Sequence, residues 1–391
     1  MCKKFGIGKV LAVCVASAAF LCGATQGRGQ NSAGSSRAKE GAKALSVSSK
    51  PFENWTQLDV RDSAMVMKRP ELAQKEDTPG ASFIRERYQA NWRDIDPFDL
   101  YVIRPKGTAK VPVILYLYSF PEDTDQFKNN NWCDTAVSGG YAAVGFVGAV
   151  TGHRTRYRPA KDWFVGNMQE ALGSTVHDVQ FILDYLATRS DLDMNHVGIF
   201  AMGSGGAVAV MASAVDPRIQ VVDLLGPWGD WPKWTGATKV IPDDERANFV
   251  TAEFQEKLEP LEPVNWLPKV HAKELRIQDV RGNKSVPDDA QKSLEGAAPD
   301  FAVINQYENG RAFLANQPPI TLFDWLKAEL KADGKSSVAL EKSQRIHFYP
   351  APPQPTQDWP NVGTLDTSKP AKAPNANAEK QQDKPKEQKE R

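Results

Sequence analysis

The hydrophobic positions of this chain change period several times, and each change marks an element. Residues 83–92 and 98–104 alternate apolar with polar side chains around Asp94-Ile95-Asp96-Pro97, which predicts a hairpin. Residues 111–118 form an unbroken apolar run, as expected for a strand covered on both faces. A helix is predicted over 132–138, stopped by Gly139-Gly140, with a second buried strand over 141–150. Residues 168–188 then carry Val176, Val179, Ile182, Leu183 and Leu186 at helical spacing. A short apolar strand at 197–200 runs into the glycine cluster Gly203, Gly205 and Gly206, then into a small-residue helix that stops near Asp216-Pro217. Further strands are predicted at 219–225, 274–280 and 301–307, a closing helix at 321–330 with Trp325-Leu326 as its buried face, and an added edge strand at 344–349. Strands alternating with helices predict an α/β fold with a mostly parallel central sheet flanked by helices.

The two ends of the chain read differently. Lys3, Lys4 and Lys9 bracket the start of an apolar run at 10–21, and Cys22-Gly23-Ala24 supplies a small-x-small cleavage pattern, so residues 1–24 read as a signal peptide. The run falls short of the roughly 20 apolar residues a stable transmembrane span needs. The expected localisation is exported, periplasmic or secreted; a lipoprotein anchored on Cys22 is disfavoured by Phe20-Leu21, a poor lipobox. Residues 25–50 are a Gly/Ser/Ala/Lys-rich linker. An ordered domain is expected over 51–349 with its core at 80–332, followed by a disordered Pro/Lys/Glu/Gln-rich tail at 350–391.

Composition narrows the chemistry. Lys plus Arg and Asp plus Glu both number 48, so the 391-residue chain is formally neutral and shows no electrostatic footprint for nucleic acid. Three of its four cysteines (Cys2, Cys14, Cys22) lie in the signal, which leaves Cys133 without an intrachain disulfide partner. No Cys/His/Asp cluster has ligand spacing, so neither a metal nor a cofactor is expected. Nothing in the sequence names a protein partner.

The strand, glycine cluster and helix at 197–217 resemble the nucleophile elbow of the α/β-hydrolase superfamily, in particular its dienelactone-hydrolase and acetyl-esterase-like members. The resemblance extends over 80–332 through the strand order, Val286-Pro287 and the Trp-Leu closing helix. It implies an α/β-hydrolase fold with a small cap insertion at 235–271. It also places the nucleophile at Gly203, the acid at Asn283 and the histidine at Arg311, while Tyr118-Ser119 stand where the superfamily carries His-Gly before its oxyanion loop. A serine-hydrolase triad needs a nucleophilic oxygen, an imidazole and a carboxylate. Gly203 has no side chain, Asn283 has no histidine to orient, and a guanidinium with pKa above about 12 cannot accept a proton.

Two functional readings follow. In the first, backbone N–H groups at the start of the elbow helix attract an anion. The chain is then a non-hydrolytic protein holding a small anionic or acyl ligand, with Tyr118, Ser119, Gly203, Ser204, Gly205, Trp228 and Arg311 as ligand-binding residues. In the alternative, Ser204 is the nucleophile of a serine hydrolase (esterase or peptidase) whose elbow is shifted by one residue, with His153 as base and Asp230 as acid. The glycines also have a purely steric explanation, close helix–strand packing. Trp228, Trp231 and Trp234 either line a pocket or pack the cap, and the basic aromatic loop at 151–164, with His153 and Arg154, either lines the site or is solvated. A third reading makes the C-terminal tail a contact element of an envelope protein.

Overall fold

In the computed structural model, the residues described are 56–60, 68–91, 96–107, 109–120, 124–149, 154, 160–316, 322–331 and 345–352, without side chains at 160–167 and 170. The signal and linker expectations, Asp94-Ile95 of the hairpin turn, His153 and the tail beyond Pro352 lie outside them. The described residues through Ala351 pack as one unit; of the second, Pro352–Arg391, only Pro352 is described.

The strands are β1 (Glu71–Glu76), β2 (Phe83–Ala90), β3 (Phe98–Pro105), β4 (Val111–Leu117), β5 (Ala142–Phe146), β6 (Leu192–Met202), β7 (Ile219–Leu225), β8 (Glu274–Val280), β9 (Val303–Tyr307) and β10 (Ile346–Tyr349). They form one sheet in the order β1-β2-β3-β5-β4-β6-β7-β8-β9-β10. The first three and the β3–β5 pair run antiparallel, and every pairing from β5 to β10 is parallel. The inner parallel strands β4 and β5 are apolar on both faces because helices cover both sides.

The helices are α1 (Asp125–Lys128), α2 (Asn130–Val137), α3 (Ala160–Ala187), α4 (Gly203–Val215), α5 (Trp231–Ala237), α6 (Ala252–Leu258), α7 (Pro263–Trp266), α8 (Asp288–Ala297), α9 (Gly310–Asn316) and α10 (Asp324–Lys331). On one face, α3, α4 and the short cap helices close over Leu115, Ile199 and Leu224. On the other, α2 and α10 bury Tyr116, Phe200, Trp132 and Leu326 in an aromatic-rich layer. Among the described residues no helix is long and apolar enough to cross a membrane.

Several boundaries move from their sequence expectation. β6 begins at Leu192 rather than 197, because Leu192 and Asp193 pair with Val111 and Pro112 before a register shift. β1 is an extra strand; its sequence ELAQKE is almost wholly exposed at the sheet edge, so it carries no apolar alternation. Arg154, read from sequence within a basic loop, is buried instead. It gives hydrogen bonds to Asp96, Asp178 and the Val147 carbonyl and lies 4.9 Å over the Phe98 ring. It therefore braces β3, the end of β5 and α3 together.

Register between β7 and β8 is pinned by charge as well as by ladder. Asp223 and Arg276 are direct partners across the two strands, joined at 2.9 and 2.7 Å, both buried, with Gln278 donating to Asp223 at 2.9 Å. Removing one member of a buried pair strands the other charge, at about 3–5 kcal/mol. Asp223→Ala is expected to lose stability of that order in urea unfolding.

Candidate functional site

The site is built where β6 hands over to α4. The chain leaves Met202 in extended conformation and turns at Gly203 with φ of 50°, a left-handed value that side chains rarely tolerate. The Gly203 carbonyl accepts the backbone N–H of Trp228 at 2.9 Å, tying the turn to the loop after β7. Immediately downstream, a Cβ on Gly205 would lie 2.6 Å from the Leu117 carbonyl oxygen and 2.8 Å from that of Tyr118. The first turn of α4 therefore rests on the end of β4, which is the steric explanation of the glycine cluster.

That contact sets two serines against each other. Ser204 is fully buried; its N–H donates to Ser119 Oγ at 3.2 Å, and its own Oγ accepts the N–H of Phe120 at 3.0 Å. These amides, one after the elbow residue and one in the loop after β4, are the pair that the hydrolase resemblance assigns to an oxyanion hole. Both are occupied by serine hydroxyls of the chain itself. A Cβ on Gly203 would meet Ser119 Oγ at 2.2 Å, so Ser119 fills the space that any side chain at position 203 would take. Tyr118 turns its hydroxyl to accept from Trp132 Nε1 at 2.9 Å. Beside Ser204, between Leu117, Tyr118, Gly148 and Thr175, a cavity of about 10 Å³ remains, room for one water at most.

The three cap tryptophans are buried, at 2% (Trp228), 1% (Trp231) and 0% (Trp234), and packed ring on ring, Trp228 to Trp234 at 4.3 Å. Trp231 Nε1 donates to the Leu261 carbonyl and Trp234 Nε1 to that of Ser285. Trp228 differs: its Nε1 has no acceptor among the described residues and lies 3.1 Å from the Cβ position of Gly203. A buried donor without an acceptor costs about 1–3 kcal/mol.

The other matched positions are placed less centrally. Asn283 follows β8 and uses Oδ1 to accept the Ser285 N–H at 2.9 Å, with its Nδ2 near Gly226 of the loop after β7. Arg311 is exposed in the first turn of α9, where Asn309 accepts the N–H groups of Arg311 and Ala312. Asp230 caps α5, accepting the Lys233 N–H and pairing with the Lys233 ammonium at 2.7 Å. Among the described residues no group of His, Cys, Asp or Glu could hold a metal ion.

Sequence reasoning missed the carboxyl of Glu262 and set that of Asp279 aside as out of register with the superfamily's acid position. Glu262 accepts three N–H groups, from Asp230, Trp231 and Val264, and so fixes the cap beside the tryptophans; its place before Pro263 at a helix start was the available signal. Asp279, near the end of β8, is fully buried, and neither oxygen receives an N–H among the described residues. Burial, then the neighbouring Glu295 carboxyl, push it well above the usual carboxylate range. Glu295 itself takes hydrogen bonds from Arg281 and Gln306.

Solved structures of similar fold include an acetyl xylan esterase from Paenibacillus sp. R4, with a TM-score of 0.52 at 16% identity, covering 61% of this chain and 81% of that one. Acetyl xylan esterase 1 from Thermoanaerobacterium sp. JW/SL YS485 gives 0.49 at 14% identity, over 64% and 87%. Among curated proteins, "Putative hydrolase YtaP" of Bacillus subtilis (strain 168) is 28% identical over 140 residues, 32% of this chain. The chain spans 46% of that relative's length. No protein-family model matches the chain. With this sheet order and this likeness, the chain has the α/β-hydrolase fold.

Two outcomes are expected of the site. Gly203→Ala should destabilise by at least the ~1–3 kcal/mol of a side chain forced into a left-handed turn, and Ser119→Gly in the same chain should recover part of the loss by removing the overlap; paired denaturation curves check this. Asp279 favours its neutral form in the folded state, while the unfolded chain ionises it above about pH 4. Stability is thus lost as pH rises from there towards the folded-state pKa. Asp279→Asn should melt higher than the parent at pH 8 and lose that advantage at pH 4.

Proposed function

We propose that this chain is an exported, non-hydrolytic protein of α/β-hydrolase fold that holds a small acyl or anionic ligand at its glycine elbow. The observation that carries the reading is Trp228, whose buried Nε1 is aimed at the turn and has no acceptor among the described residues. Ser119 is partly exposed and stands in front of this N–H, accepting from Ser204. A carbonyl or carboxylate oxygen that displaces the Ser119 side chain from the hollow at Gly203 receives two hydrogen bonds, one from Trp228 Nε1 and one from the Ser204 N–H that Ser119 gives up. The positive end of α4 strengthens the second.

Three features favour binding over hydrolysis. The elbow residue is Gly203, which offers no oxygen for an acyl intermediate. Neither Asn283 nor Arg311, at the matched positions, can relay a proton. Ser204, the alternative nucleophile, is buried in α4 with its hydroxyl engaged by Phe120. Export rests on residues 1–24 alone.

The test joins labelling to binding. Purified chain and Ser204→Ala are treated with a fluorophosphonate and short acyl nitrophenyl esters, and butyrate is titrated while tryptophan fluorescence is followed. The expected result is no label, no difference in ester turnover between the two chains, and butyrate binding weakened about tenfold or more in Trp228→Phe, as a charge-assisted hydrogen bond implies. A label mapped to Ser204, with turnover lost in Ser204→Ala, would establish the serine-hydrolase alternative instead.

A further inference from the structure

We propose a second ligand site on the antiparallel flank of the sheet, independent of the elbow, for a small hydroxylated carboxylate of the sugar-acid class. A cup of about 480 Å³ opens where β1, β2, β3 and α1 meet, lined by Gln74, Glu76, Arg85, Arg87, Asp99, Tyr101 and Lys128, three cations against two carboxylates, of which Glu76 is neutralised by Arg85. Small-molecule sites fall at roughly 300–1,000 Å³.

The register explains why these side chains share one face. Arg87 pairs with Gln74 on β1 and with Tyr101 on β3, while Asp99 lies two positions before Tyr101, on the same side of the pleat. Arg85 is committed to structure: it holds Glu76 and donates to the carbonyls of Phe127 and Lys128. Arg87 is not committed in this way. It reaches Asp99 through Nη1 alone, at 3.2 and 3.3 Å, longer than the roughly 2.7–2.9 Å of a charge-assisted bond, and its side chain is 33% exposed. The Nε and Nη2 edge of its guanidinium has no partner among the described residues. Lys128, 54% exposed, contributes an ammonium whose one ionic partner among the described residues is Asp125 of its own helix.

The ligand class follows from this mixture. A planar carboxylate fits the unused fork of Arg87 and gains from Lys128. Asp99 accepts hydroxyl protons, as does the Gln74 carbonyl, since the Gln74 amide N–H is given to Glu76. Hydrogen phosphate would offer Asp99 a single hydroxyl while bringing up to two negative charges beside Asp99 and Glu76. A neutral polyol would leave the Arg87 edge uncompensated. A molecule with one carboxylate and adjacent hydroxyls satisfies both.

The experiment is calorimetric titration of the full chain at low salt with D-glucuronate, beside D-glucose and inorganic phosphate. Glucuronate is expected to bind more tightly than either comparator, to weaken at least tenfold in Arg87→Ala, and to weaken less in Arg87→Lys, which keeps the charge without the fork. Lys128→Gln, on an exposed side chain, gives an independent reduction should Arg87→Ala fail to fold. Absence of glucuronate binding, equal binding of glucose or phosphate, or unchanged affinity in folded Arg87 and Lys128 variants overturns the proposal. Butyrate binding through Trp228 is read separately, so either site can fail without the other.

Discussion

The first turn of α4 lies so close to the last carbonyls of β4 that only hydrogen fits at Gly205. Most of the site depends on that contact. It selects the small residues that open α4, and it brings the loop after β4 alongside the loop after β7. It also aligns two backbone amides from distant parts of the chain within reach of two hydroxyls. The same closeness that would expose paired N–H donors to a substrate oxygen here delivers them to Ser119 and Ser204. Whether such an elbow is reactive is decided by side chains at three or four positions, on a backbone that the fold holds constant.

Much of the fold was legible because burial on both faces leaves long apolar runs. β8 appears residue for residue as the segment 274–280, and the elbow helix ends at the Asp216 that the sequence marks. β1 was invisible because an exposed edge strand has no need of alternation. Gly203 could be assigned to the turn from its neighbours, since only glycine accepts that backbone cheaply. The exchange between Ser119 and Ser204 could not be read, as it joins positions 84 and 85 residues apart in sequence through hydroxyls that look like ordinary loop and cap residues. Arg154 was hidden for a related reason: its partners, Asp96 and Asp178, lie 58 and 24 residues away, so a basic loop and a buried brace look alike in one dimension.

Charge inside this molecule is used to fix alignments. Asp223 with Arg276 locks neighbouring strands in register, and Arg154 gathers two carboxylates and a carbonyl from three elements. Such pairs add little net stability over apolar packing, but a slipped arrangement would leave them unpaired. Asp279 departs from this pattern: Arg281 goes to its neighbour Glu295, and burial together with the Glu295 carboxyl favours a proton on Asp279.

The fit of Ser119 into the hollow at Gly203 also bears on which sequences lie within reach of this one. A side chain introduced at position 203 alone enters space that Ser119 fills, and a cleared position 119 alone leaves a hollow that nothing fills. The two positions are therefore coupled although they stand 84 positions apart in sequence, and a change at either is accommodated only in the company of a change at the other.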